Sequence, residues 1–435
     1  MEEFDDALLY TRGDPEKKLE AYMTDIVNAG SKNTLQAKGS SHKSKGRRYK
    51  YQIKKEVVDL RSLLIDCAQS IAADDRRTSN ELLRQIRDHS SPFGDGEQRL
   101  AHYFADGLEA RLAGTGSEMQ KSLLVKRITA SDYLRAYYTY IASSPFVKIS
   151  NFVSSKLIFY KSEKEKAVRV HIIDFGILYG FQWPTYIQRL AELEGGPLKL
   201  RITGIDFPQP GFRPAERVEE TGRRLARYAK TFNVPFEFNA IAQNWESIKI
   251  EDLKLEKGEF LAVNCLYRAE NLPDKTGVGE SPRSMVFDLI RKINPDYFIH
   301  GVISAAYGVP FFVTRFREAL FHYSALYDML EATIPRDKPE RAMLERDIFG
   351  KEALNVIACE DWESVGRAET YKQWRKRHLR AGFVQVPFDR ELRDSAMYKV
   401  KKFYHREFIV DEDDKWLLMA WKGRVMYAIS CLQPV

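Results

Sequence analysis

Cysteine is scarce in this 435-residue chain: Cys67, Cys265, Cys359 and Cys431 lie far apart, each in an apolar context. That spacing offers neither a metal-ligand set nor a disulfide framework, and it points to buried free thiols in a reducing compartment. No apolar run approaches the roughly 20 residues needed to cross a bilayer, and the opening Met-Glu-Glu-Phe-Asp-Asp has no leader pattern. Catalytic signatures are missing too. No His-Glu-x-x-His, Cys-x-x-Cys, phosphate-binding loop or Gly-x-Ser-x-Gly elbow occurs. The eight histidines are scattered. His171 falls within a strand pattern, where a buried, hydrogen-bonded role is expected. His300 ends another with no acid or nucleophile beside it. No catalytic residue, no metal site and no cofactor are expected.

One strongly basic stretch has no acidic residue at all. Eight Lys and Arg lie between Lys38 and Lys55 with no acid among them, and removing those eight from the net charge of +7 leaves −1. The basicity therefore belongs to one segment, and any polyanion surface on the rest must be local. Residues 1–54 read as a disordered basic tail, because the Ser, Lys, Gly and Asn of Gly30 to Gly46 have little to bury. Within it, Lys43, Lys45, Arg47, Arg48 and Lys50 form a cluster that an import receptor or nucleic acid could read. A solvated linker is the plainer reading.

Apolar residues then set in at helical spacing. Val57, Leu60, Leu64, Cys67 and Ile71 mark one helix, Leu82 to Ile86 a second behind a Thr78/Glu81 capping box, and Leu100, Phe104, Leu108 and Leu112 a third stopped by Gly114. Tyr133 to Ile141 and Pro145 to Phe159 follow, so 55–160 reads as an all-helical region. Leu60, Leu63 and Leu64 make an L-x-x-L-L pattern, which docks into a partner's groove when its leucines are exposed and is core otherwise.

Val168 to Ile173 is rich in β-branched residues and ends in Asp174, as a buried parallel strand would. Gly176 and Gly180 form a turn and Pro184 opens a helix. Strand, glycine turn, helix begins the ligand crevice of an open α/β sheet. A nucleoside-binding turn wants a small residue between those glycines, but Leu178 stands there and fills the space a cofactor needs. Leu198 to Asp206 is a second strand, whose terminal acid occupies the place of a ribose acceptor, though capping or pairing at the strand end is the plainer reading. Phe236 to Ile241, Phe260 to Leu266 and Tyr297 to Ile303 follow, with Asn264 near the crevice end of the fourth. Five strands separated by helices argue for a doubly wound, mostly parallel sheet.

Beyond it, Pro310 to Leu330 is too apolar for one solvated face and should pack on two sides or against another subunit. Ile334 to Phe349 alternates in charge, which suggests a solvated helix with local ion pairs, an excursion of the helical cap near 330–350. In Tyr371 to Arg380, Lys372, Arg375, Lys376, Arg377 and Arg380 surround Trp374 with no acid, a candidate duplex-DNA contact. The plainer alternative there is a solvated face with Trp374 and Leu379 buried. The tail reads as two or three strands at the sheet edge, with Lys422-Gly423 as a hairpin turn.

Val170, His171, Ile172, Ile173 and Asp174 together resemble the signature block of the plant GRAS family of transcriptional regulators. The resemblance runs from about Glu56 onward and is nearest the Scarecrow-like branch, of the Scarecrow-like 14 type. Pro295, Phe321, Tyr323 and Arg346 match a further block, with Asp347 where the family has Glu. Trp416 and Trp421 match the last block, whose final tryptophan is absent. The resemblance implies a methyltransferase-like α/β core (166–435) with an N-terminal helical cap and a nuclear regulator without catalysis. It further implies partners among other transcription factors and GRAS proteins, homodimers or heterodimers, and no membrane. The competing class is an S-adenosylmethionine-dependent methyltransferase, with Asp174, Gly176, Gly180 and Asp206 around the cofactor.

Overall fold

The computed structural model describes residues 58–116, 130–274, 280–360 and 368–435. The basic tail and its cluster from Lys43 to Lys50 lie outside the described residues. The chain divides into two compact units.

The first unit takes the described residues up to Ser143 together with Val309–Glu360. Helix α1 (Leu60–Ala72) starts where the Asp59 carboxylate accepts the Ser62 amide at 3.1 Å. Helix α2 (Arg76–His89) is capped by Asp75, which accepts from Thr78, so the expected Thr78/Glu81 box is displaced by one earlier acid. Helix α3 (Gly96–Ala113) carries a capping box from Asp95 and Gln98 and stops at Gly114, whose φ of +70° only glycine adopts freely. Helix α4 spans Ala130–Ser143.

The second unit takes Ser144–Gly308 and Asp361–Val435. The helical region therefore ends at Ser143, not near 160: α5 (Phe146–Lys164) belongs with the sheet. The alternation is β1 (Arg169–Phe175), α6 (Trp183–Ala191), β2 (Lys199–Asp206), α7 (Glu216–Thr231), β3 (Phe236–Ala242), β4 (Phe260–Leu266), α8 (Pro282–Ile293) and β5 (Tyr297–Ile303). These five strands are parallel, in the order β3-β2-β1-β4-β5. Val170, Ile172, Ile173 and Phe175 have no exposed surface, as a strand covered on both faces requires.

The chain then returns to the first unit with α9 (Phe312–Thr333), α10 (Pro339–Met343), a π-helical turn over Leu344–Gly350 and α11 (Lys351–Ala358). The inserted segment thus runs from 309 to 360, wider than the expected 330–350. Two of its charges turn inward: Arg341 and Glu345 are fully buried, 2.8 Å apart, and Arg99 reaches the other Glu345 oxygen at 2.7 Å. Glu331 accepts a further Arg341 nitrogen at 2.6 Å. Buried charges persist when paired in this way.

In the second unit, α12 (Tyr371–Arg380), β6 (Phe383–Val386), α13 (Arg390–Phe403), β7 (Phe408–Asp413), β8 (Trp416–Trp421) and β9 (Arg424–Pro434) complete the chain. Lys422 (φ +47°) and Gly423 (φ +79°) make the expected hairpin turn between β8 and β9. Strand β9 is not an edge strand: it lies antiparallel to β5 on one side and meets β8 and β6 on the other.

Candidate functional site

The crevice of an open α/β sheet forms where the strand order reverses, here at the carboxyl ends of β1 and β4. Asp174 ends β1 beside Asn264 of β4. The Asp174 carboxylate is spoken for on both oxygens. Asn264 Nδ2 donates to Oδ1 at 2.9 Å, and Trp183 Nε1 of α6 donates to Oδ2 at 2.8 Å. The Asn264 oxygen accepts Ser154 Oγ at 2.7 Å, and Gln182 Nε2 donates to Ser154 at 3.0 Å and Ser155 at 3.3 Å. All six side chains are buried. Burial pushes the Asp174 carboxyl up to about 6, against the lowering pull of its two donors.

Asp206, which stands where a ribose acceptor would, takes the plainer role of pairing at the strand end. Arg217 of α7 holds its Oδ2 at 2.7 Å through Nε and 2.6 Å through Nη2, and the Phe207 amide donates to Oδ1 at 2.9 Å. Phe207 then stacks on Trp245 at 4.7 Å between centroids. Gly176, at φ +91°, lies under Arg268: a Cβ there would fall 2.5 Å from its Cγ. Gly180 backs onto Thr221 and Leu225. Leu178 is half-buried at φ +49°, and its carbonyl accepts Thr221 Oγ1 at 2.8 Å. The two acids are thus held by Trp183, Asn264 and Arg217, none of them the leucine expected to fill the crevice. Trp183 was legible only as bulk, and nothing in the sequence links Ser154 or Arg217 to an acid on another element.

The polar side chains around the crevice are hydrogen-bonded to one another. His171 is fully buried, with Nε2 2.8 Å from Thr203 Oγ1 and Nδ1 3.3 Å from Glu259; burial, then Arg201, draws it down to about 4, so it is neutral at pH 7. His300 pairs with His378 of α12 at 2.9 Å in an aromatic cluster with Phe287, Trp374 and Trp416. Among the described residues no group of three or more His, Cys, Asp or Glu is placed to hold a metal ion.

Two sequence alternatives are narrowed. Leu60 is 5% exposed and Leu64 1%, with Leu63 half-buried, so the L-x-x-L-L leucines are core and cannot dock elsewhere without unfolding α1. The basic run of α12 meets acids from other elements. Arg377 pairs with Glu369 at 2.6 Å and with Asp274, Arg375 pairs with Asp414, and Lys372 lies 3.8 Å from Asp413. Lys376 and Arg380 remain exposed; Trp374 is buried, but Leu379 is 56% exposed. Three of the five cations are neutralised within the fold, so this stripe is not a free phosphate surface. Of the family-block residues, Pro295, Tyr323, Trp416 and Trp421 are core, Phe321 is half exposed, and Arg346 pairs at the surface with Asp347 at 2.7 Å.

A model of the GRAS domain family matches residues 60–432. The chain is 58% identical over 381 residues to Scarecrow-like protein 9 of Arabidopsis thaliana, covering 88% of this chain and 52% of that one. It is 53% identical over 400 residues to Scarecrow-like protein 14 of the same plant, covering 92% and 52%. The chain therefore spans about half the length of these curated relatives. It is 32% identical over 374 residues to Scarecrow-like transcription factor PAT1 of Arabidopsis thaliana, covering 86% and 76%. The crystal structure of SCL7 in Oryza sativa superposes with a TM-score of 0.73 at 28% identity, covering 86% of this chain and all of that one.

Proposed function

The chain belongs to the GRAS domain family, and on that footing we propose that it is a nuclear regulator of transcription that works by binding and not by catalysis. Its partners are other transcription factors and GRAS proteins, in homodimers or heterodimers, together with duplex DNA. One observation carries the non-catalytic reading: both crevice acids, Asp174 and Asp206, have their oxygens satisfied by donors of the same unit. Each oxygen of these buried carboxylates already accepts a donor of the same unit, and a cofactor's ribose or amine that displaced one would break a bond worth about 1–3 kcal/mol. The match to a relative named as a transcription factor supports the regulatory part.

Two measurements test this. The full chain is tethered upstream of a reporter through a foreign DNA-binding domain, and a change in output of several fold is expected. The same chain is titrated with S-adenosylmethionine in a calorimeter, and no binding heat is expected. A flat reporter, or a micromolar dissociation constant for the cofactor, overturns the reading.

A further inference from the structure

Arginines that turn inward in the second unit have carboxylate partners. Arg217 holds Asp206 at 2.6 Å, Arg201 lies 3.2 Å from Glu237, and Arg283 lies 3.1 Å from Glu369. Arg268, just after β4, is half-buried and has none. Its Nε is shut off from solvent and donates to no described residue, and no described carboxylate pairs with its guanidinium. The stem of this side chain lies across Gly176. A Cβ built there would fall 2.5 Å from Arg268 Cγ, 2.9 Å from its Cβ and 3.3 Å from its Nε. Gly176 is itself only half-buried, so this side of the turn meets solvent. Arg268 thus stands at the carboxyl ends of β1 and β4, at the mouth of the crevice.

Neither nearby acid pairs with it. Asp174 is taken by Trp183 and Asn264. Glu270 stands by the buried Arg283, which donates to its carbonyl at 3.4 Å. Water can satisfy an N–H, but it supplies no counter-charge to a partly desolvated guanidinium. An oxyanion supplies both, through two parallel hydrogen bonds to the planar fork. The turn adds to that preference. It leads into α6, whose N-cap Gln182 gives no side-chain cap because its amide is turned to Ser154 and Ser155. The positive end of a helix favours negative charge. The same cation disfavours the sulfonium of S-adenosylmethionine, and its stem covers the glycine that a nucleoside would approach.

We propose that Arg268, beside the Gly176 turn at the mouth of the crevice, binds a small oxyanion: the carboxylate or phosphate group of a small molecule. The assignment goes beyond the regulatory reading and shares only its exclusion of the cofactor.

The test uses the full chain and reads the arginine directly. Phenylglyoxal, which condenses with unpaired guanidinium groups, is applied at constant ionic strength, and labelling is followed by peptide mass spectrometry. Inorganic phosphate at about 10 mM should slow labelling of Arg268 at least about threefold, which corresponds to a dissociation constant of about 5 mM or lower, while exposed Arg380 in the same sample changes less than about 1.5-fold. Acetate reads the other source. Protection by phosphate alone assigns a phosphate ester, and protection by acetate alone a carboxylic acid. Equal protection of Arg268 and Arg380, or protection of Arg268 by neither anion, overturns the assignment. So does an Arg268 that stays unlabelled without added anion, because it is then already paired. Polyglutamate that protects where both small anions fail overturns the ligand class. As a second readout, the rise in unfolding temperature given by phosphate over chloride of matched ionic strength should fall by at least about half in R268Q and persist in R380Q. An unchanged rise in R268Q sinks the site. A cofactor detected by calorimetry sinks the non-catalytic reading whatever the anions do, whereas a flat calorimeter with no anion protection sinks this site alone.

Discussion

Asp174 shows how a ligand-type fold comes to hold itself. Its carboxylate is fully enclosed and accepts one bond from an indole and one from an amide. Trp183→Phe keeps most of the ring but removes the donor, so it should lower unfolding free energy by about 1–3 kcal/mol, read by urea denaturation at pH 7. The acids at the strand ends were legible because each closes an apolar run. Their partners were not: Asn264 is 90 residues from Asp174, and no local pattern encodes that approach. Leu178→Gly relieves a left-handed φ of +49° that costs a leucine about 1–2 kcal/mol. It should nonetheless leave calorimetric titration with S-adenosylmethionine flat, because Asp174 and Asp206 stay tied. The buried histidines set the acid response. Burial holds His171 down to about 4 and His378 to about 3, against about 6.5 in an unfolded chain. Below pH 6.5 the unfolded chain takes up protons that the folded chain refuses, so stability is full above that pH and falls as pH drops toward 4. Asp174, raised to about 6, acts in the opposite sense between pH 4 and 6, but it is one group against two. A denaturation midpoint that rises on acidification from pH 6.5 to 4 would contradict this balance. His378→Phe should flatten the dependence.

At the scale of elements, charge alternation misled where it concealed an inward face. Arg341 and Glu345 are four residues apart, hence on one side of the helical segment, and that side is buried against Arg99. The sequence displays the charges but not which way they turn. Glu345→Gln leaves two buried guanidinium groups short of a counter-charge and should cost about 3–5 kcal/mol, measured as a loss of denaturation free energy. Arg346→Gln, on the exposed pair with Asp347, should cost less than about 1 kcal/mol. The α12 stripe misled for a related reason. Within Tyr371–Arg380 there is no acid, yet Asp274, Glu369, Asp413 and Asp414 arrive from before and after it in the chain. The strands were the easier elements, since β-branched runs bounded by Gly, Asp and Asn identify themselves locally.

Across the whole molecule, the parallel direction of the five strands was legible from their separation by helical segments, though not the order in which they pair. Two features escaped. The first unit is assembled from two separated stretches of chain, and α5, although it follows the opening helices directly, belongs with the sheet. Sequence adjacency gave the wrong company to that helix because its apolar residues do not reveal which core they enter. The position of β9 escaped too, because strand order in a sheet is set by long-range pairing. That position bears on how the chain is made. A ribosome delivers β5 long before it delivers β9, so the β5 edge stands unpaired while everything from Ser304 to Trp421 is synthesised, an invitation to chaperones or to neighbouring nascent chains. A frameshift that altered only the residues after Lys422 would leave that edge permanently open, and its product should be cleared as a misfolded protein despite an intact crevice.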